Sequence, residues 1–281
     1  MTKTVISFLV LASLLCAQSY TEGIEQWRAE RERNLQAEDG WLAVAGLYWL
    51  EEGRNTFGTD SDNDFVFPEG STAAHAGEFE FRDGKVTLRW SDGRDEPVEM
   101  HPDTTEEPTE IHDGRVSFYV IQRGDRFGIR LIDPESEFRK HFTGLEWYPV
   151  DEAYRITARF VPFDTPRTLT VPSVIGGTQE YESPGYLEFE LGDRTQRLEP
   201  AKDGDELFLI FRDATAGDTT YAAGRFLYTP APQDGTVELD FNRAYNPPCV
   251  FTPYATCPLP PPQNRLDVPV EAGEKNYKHD W

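Results

Sequence analysis

The densest chemistry in the chain lies between residues 225 and 265. Arg225, Asp240, Asn242, Arg243, Tyr245, Asn246, Tyr254, Asn264 and Arg265 combine forked guanidinium donors, two-way amides and phenols. Such a set can hold a carboxylate, a sulfate or a sugar hydroxyl through several directed hydrogen bonds while aromatic faces exclude water. The same groups can instead satisfy one another, with Arg243 or Arg265 pairing with Asp240 or Glu274 to lock a loop. A smaller set surrounds His141, beside Arg139, Glu146 and Trp147. His141 with Glu146, or an Asp near Arg225, is the stock of a hydrolase-type acid–base site, and equally of a neutral His hydrogen-bonded within a fold. Cys249 and Cys257 form the third set. In an exported protein the simplest outcome is a disulfide closing a short loop, worth roughly 2 to 3 kcal/mol; a redox-active or soft-metal pair is the other reading.

Other chemistry finds no support. There is no G-x-S-x-G elbow for a catalytic serine, no phosphate-cradling glycine loop and no G-x-G-x-x-G. The histidines, at 75, 101, 112, 141 and 279, are scattered rather than set at the short repeated intervals zinc requires. Asp60, Asp62 and Asp64 imitate the start of a calcium loop, yet Phe65 stands where the sharp turn needs Gly and Ser71 where the closing Glu belongs. No metal and no cofactor is expected.

The elements that must position these groups read mainly as strands. An amphipathic helix fits residues 22–38, with Ile24, Trp27 and Leu35 near helical spacing and Gly40 just beyond. After it come short runs rich in Phe, Val, Tyr and Thr, punctuated by Gly, Asp and Pro. Around Asp83-Gly84 a two-residue hairpin turn sets Phe81 against Val86, Phe79 against Leu88 and Glu78 against Arg89. A second hairpin around Gly124-Asp125 sets Val120 against Ile129 and Phe118 against Leu131. Further strands are expected within residues 154–161, 186–191, 207–211, 225–228 and 237–241. No helix-length segment interrupts them, which excludes a parallel sheet with crossover helices. The expected architecture over residues 18–281 is one antiparallel β domain, a barrel or a sandwich, with an N-terminal helix packed on it. The stretch 246–269 is crowded with prolines, which exclude a helix or a central strand. Tyr245, Phe251 and Tyr254 give it apolar area, so it is expected as an ordered loop on the β domain.

Several stretches carry a family likeness. They run through Gly40-Trp41-Leu42, His141-Phe142-Thr143-Gly144-Leu145 with Trp147, Asp213-Ala214-Thr215 and Gly224-Arg225. The most specific covers Leu239 to Cys249, Phe251 to Pro261, Asn264-Arg265-Leu266 and Ala272-Gly273-Glu274-Lys275. The chain thus resembles a bacterial and archaeal domain of unknown function, family 1684. Gln263 departs from the Glu expected in many relatives, so an acid role at that position does not carry over. The resemblance implies a single exported module and no activity.

Composition bounds the partners. With 50 acidic against 27 basic residues, a formal charge of -23, the chain lacks the basic surface that phosphate backbones or anionic lipid attract. Hydrophobic residues make up only 38%, but 18 Phe, 12 Tyr and 6 Trp supply a core. Lys3, the apolar run Val5–Leu15 and small Ala17 have the layout of a secretory signal peptide over residues 1–17, cleaved near Ala17; lipid anchoring through Cys16 is disfavoured by Leu14 and Leu15. The expectation is therefore an exported protein, periplasmic or extracellular, not inserted in the membrane, that binds an anionic small molecule or a carbohydrate. The alternatives are the hydrolase above and a structural or partner-binding envelope protein.

Overall fold

The computed structural model describes residues 3–278 and, within the first helix, side chains from Ser19 onward. Residues 1–17, which carry the expected leader and Cys16, and His279 therefore have no described side chains. Helix α1 (Lys3–Leu35) begins earlier than the amphipathic pattern suggests and stops three residues sooner. Its end is set by tight turns, Ala37 N–H to Asn34 O at 3.4 Å and Gly40 N–H to Ala37 O at 3.0 Å. Among the described residues no helix is long and apolar enough to cross a membrane.

The chain divides into two compact units, each with its own core. One comprises Asn34–Phe142 and Phe251–Ala255. It contains β1 (Val44–Trp49), β2 (Gly53–Gly58), β3 (Phe65–Val66), β4 (Gly77–Arg82), β5 (Lys85–Trp90), β6 (Val98–Met100), β7 (Glu110–Asp113), β8 (Val116–Arg123), β9 (Arg126–Ile132) and the short helix α2 (Glu137–Lys140). Its sheets run β1-β9-β8-β7 and β3-β2-β4-β5-β6. All pairs are antiparallel except β2 with β3. The β4–β5 turn puts Asp83 at φ 49° and Gly84 at φ 75°, which sets the expected register: Phe81 opposite Val86, Phe79 opposite Leu88, Glu78 opposite Arg89. The β8–β9 hairpin likewise pairs Val120 with Ile129 and Phe118 with Leu131. Because successive residues alternate faces, these registers turn Phe57, Phe79 and Leu88 of one sheet and Phe118, Val120 and Leu131 of the other into a single buried cluster.

The other unit comprises Met1–Arg33, Thr143–Val250 and Thr256–Trp281. It contains β10 (Arg155–Pro172), β11 (Thr178–Leu191), β12 (Arg194–Leu198), β13 (Ala201–Asp203), β14 (Glu206–Phe211), β15 (Arg225–Pro230) and β16 (Thr236–Asp240). The sheets run β12-β11-β10-β16 and β13-β14-β15, and Leu187, Phe189, Leu209, Phe211, Leu227 and Leu239 share one core. None of the four sheets closes on itself among the described residues, which is compatible with the sandwich of the two expected architectures. The proline-rich segment is held irregularly: Leu259 N–H donates to Pro172 O at 2.7 Å, Val174 N–H to Cys257 O at 3.0 Å, and Tyr245 exchanges bonds with Phe226.

Candidate functional site

Most of the nominated binding residues point inward. Arg225 opens β15 at 1% exposure. Its Nη2 donates to Asp213 Oδ2 and Val270 O, both at 2.9 Å, and its Nη1 to Ala272 O. Asp213, the Asp near Arg225, spends its other oxygen on Thr215 N–H at 2.9 Å, the Thr215 hydroxyl at 2.6 Å and Val270 N–H at 3.1 Å. Asn264 is fully buried, its amide clasping Glu199 O at 2.8 Å and Ile210 O at 3.0 Å while its oxygen accepts from Glu199 N–H at 2.7 Å. Asn242 donates to Asp151 O at 2.8 Å and to the Tyr20 hydroxyl at 3.0 Å, and Tyr20 donates to Asp240 Oδ1 at 2.9 Å. These side chains tie the C-terminal segment and α1 to the sheets. That matches the loop-locking alternative more than a ligand surface, since a buried polar group with internal partners has little left to offer. Arg243 and Arg265 remain exposed, Arg243 lying 3.8 Å from Asp240. Tyr254 sits in the Phe251–Ala255 segment, where its carbonyl lies 3.4 Å from Arg130 and its ring 6.1 Å from Phe138.

The expected partners of Glu274 are replaced. Neither Arg243 nor Arg265 reaches it; Arg31, from α1, does, with Nε 2.6 Å from Glu274 Oε2. Glu274 is completely buried, and burial pushes its carboxyl above the usual range despite that guanidinium. Asn246, also completely buried, donates to Glu274 Oε1 at 2.7 Å and to Lys275 O at 2.6 Å. Arg31 also donates to Asn246 O at 2.9 Å and lies 4.4 Å from the centre of the Tyr245 ring. Burial raises the Tyr245 phenol to about 12.

Trp147 forms an antiparallel bridge with Glu274, which puts both side chains on one face of the pairing. One α1 turn before Arg31, Arg28 packs its head 4.8 Å from the Trp147 ring and donates to Tyr148 O at 3.0 Å. Trp27 meets Trp147 edge-on at 5.6 Å. Tyr20, Ile24, Trp27, Arg28 and Arg31 recur at helical spacing and so form one stripe. In this neighbourhood three buried polar atoms have no hydrogen-bond partner: the acceptor Asn246 Oδ1 and the donors Trp147 Nε1 and Arg28 Nε. Sequence reasoning named Trp27 only as a helix marker, reached Asp213 only as an Asp near Arg225, and missed Tyr20, Arg28 and Arg31. The signal for Arg28 and Arg31 was available in their recurrence on the stripe of Ile24 and Trp27, where a solvated face would not place them.

The remaining candidates make contacts of their own. His141 ends α2 half exposed, its Nδ1 2.9 Å from Glu137 O and 3.6 Å from the Glu137 carboxylate; Glu146 is exposed and offers its carbonyl to Lys275 N–H. Asp64 accepts from Thr56 N–H and Oγ1, both at 2.8 Å, while Asp60 and Asp62 lie with His75 on the surface. Cys249 and Cys257 do come together, the Cys249 amide 3.3 Å from Cys257 Sγ, with both side chains as thiols and the expected disulfide not shown.

The family described as "Protein of unknown function (DUF1684)" matches residues 140–275, which include Trp147, Asp213, Arg225, Asn246, Cys249, Cys257 and Glu274. Among solved structures, an uncharacterised protein of Haloarcula marismortui, determined by NMR in solution, is 33% identical over 49% of this chain and 78% of its own, with a TM-score of 0.41. No curated protein matches.

Proposed function

Because the chain belongs to the DUF1684 family, whose description supplies no activity, we propose from the geometry that it is an exported binding module for a small neutral hydroxylated molecule, of carbohydrate or polyol type. The carrying observation is the trio of unpartnered polar atoms around the Arg31–Glu274 pair, beside half-exposed Trp27, Trp147 and Tyr148. A hydroxyl both accepts and donates, so it can serve Trp147 Nε1 or Arg28 Nε and Asn246 Oδ1, while aromatic rings pack on sugar carbons. Anions fit less well, given the buried Glu274 carboxylate and the formal charge of -23. The three atoms are covered, so entry requires the Trp27–Arg31 turn of α1 to yield. Arg28 and Arg31 hold that turn partly through polar bonds that a ligand can exchange. Cleavage of the leader near Ala17 keeps the whole stripe from Tyr20 to Arg31 in the mature chain.

The test is a titration with glycerol and neutral mono- and disaccharides, with sulfate as the anionic control, read by tryptophan emission and thermal shift. A neutral member should raise the melting temperature and shift the emission. Asn246→Leu should weaken that response about tenfold or more, compared on the fraction that circular dichroism shows folded, because the same change also removes the bonds to Glu274 and Lys275. No response from any neutral member, or an unchanged response in Asn246→Leu, refutes the reading.

A further inference from the structure

We propose that Cys249, Cys257 and Tyr221 form a thiol–disulfide exchange centre, with Cys249 the entry sulfur and Cys257 the resolving one. Cys249 lies in a single helical turn, Pro248–Val250, and is part exposed, whereas Cys257 is buried at 4% and fixed through its carbonyl to Val174 N–H. The Cys249 amide donates to Cys257 Sγ at 3.3 Å, and the Cys257 thiol and the Tyr221 hydroxyl both act on the Cys249 thiol. A reactive cysteine needs access and donors aimed at its thiolate; a resolving cysteine needs only proximity to the first. This arrangement divides the two requirements between the pair. The same donors, Cys257 foremost, hold the Cys249 thiol below its ordinary value against the opposing effect of burial.

The chemistry balances with a small external disulfide as oxidant. Cys249 thiolate attacks one sulfur of that disulfide, whose S–S bond breaks and whose leaving thiolate takes a proton from solvent. A mixed disulfide now stands on Cys249. Cys257 gives up its proton, attacks Cys249 Sγ and expels the second small thiol. Two electrons have passed from the protein dithiol to the external disulfide. The reverse sequence, started by a small thiol, restores the pair.

The intact chain is equilibrated in glutathione buffers of graded ratio, quenched with acid, alkylated and weighed. The pair should pass reversibly between a dithiol and a form two hydrogens lighter within that range. Cys257→Ser should accumulate a glutathione adduct on Cys249, and Cys249→Ser should accumulate little. In the reduced protein iodoacetamide should modify Cys249 at least tenfold faster than Cys257. Tyr221→Phe should move the pH midpoint of that alkylation upward without altering the circular dichroism spectrum. A pair that stays oxidised at every glutathione ratio is a structural staple and overturns the proposal. So does Cys257→Ser without an adduct, or faster alkylation at Cys257. These outcomes are independent of whether any polyol binds.

Discussion

Arg225 is enclosed in protein, and its charge is answered by Asp213 and the backbone carbonyls of Val270, Ala272 and Glu274. Truncating one member of such a pair leaves the other buried and uncompensated, at a cost of about 3–5 kcal/mol. Arg225→Met is therefore expected to lower unfolding stability in urea by that amount and to speed amide exchange at Val270, whose N–H rests on Asp213. Glu274 has a pH signature of the opposite kind to a surface ion pair. Its folded value lies above the ordinary 4.5, so the native state holds its proton more tightly than the unfolded chain does. Its contribution to stability is present below 4.5 and is lost as pH rises through the folded value. Glu274→Gln removes that titration, so urea midpoints of the variant should improve relative to the parent as pH is raised from about 4 to 8. Residue types told from sequence which groups were unusual, but not where they faced. Asn242, Asn246 and Asn264 read as ligand-binding amides, and the fold spends most of their hydrogen bonds on its own backbone.

At the scale of elements, hairpins were the most legible feature because turn chemistry and two-residue alternation act over short distances. The Asp83-Gly84 turn and the facing Phe79–Leu88 pair are specified within thirteen residues. The helix boundary was less so, since apolar residues before Glu22 read as a leader and helical spacing does not distinguish the two. The C-terminal segment depends on a close approach at Gly273, where φ is +79° and an added Cβ would sit 2.4 Å from Ala244 O and 2.8 Å from Phe241 O. Backbone atoms cannot yield to it as a flexible side chain could. Gly273→Ala should cost more than about 1 kcal/mol, combining the positive-φ strain with the clash, and should loosen the Arg31–Glu274 pair. Urea unfolding measures the first effect and amide exchange at Glu274 and Lys275 the second. The helical stripe from Tyr20 to Arg31 became meaningful only when Asp240, Trp147 and Glu274 were seen to meet it.

For the whole molecule, strand composition was enough to predict a mainly β chain, while the two cores came from pairings between distant segments. Phe57 packs with Phe118, and Leu187 shares a core with Leu239, through registers that no local window contains. The export proposal belongs at this scale because it concerns the chain as a processed unit. Expressed in a secreting host, the protein recovered outside the cytoplasm should begin at Gln18. N-terminal sequencing checks this; a retained Met1, or a lipid on Cys16, contradicts it.

By itself the sequence determined the β-rich class, both tight hairpins, the family likeness and the nearness of Cys249 to Cys257. These follow from short-range backbone geometry, side-chain alternation and a distinctive local motif. Tertiary structure alone decided that Arg225 turns toward Asp213, that Glu274 takes Arg31 as its cation, and that Asn246 keeps an acceptor unmatched. The physical reason is desolvation. Whether a polar head faces water or another chain segment depends on what packs over it, and here the covering groups come from as far away as 243 positions.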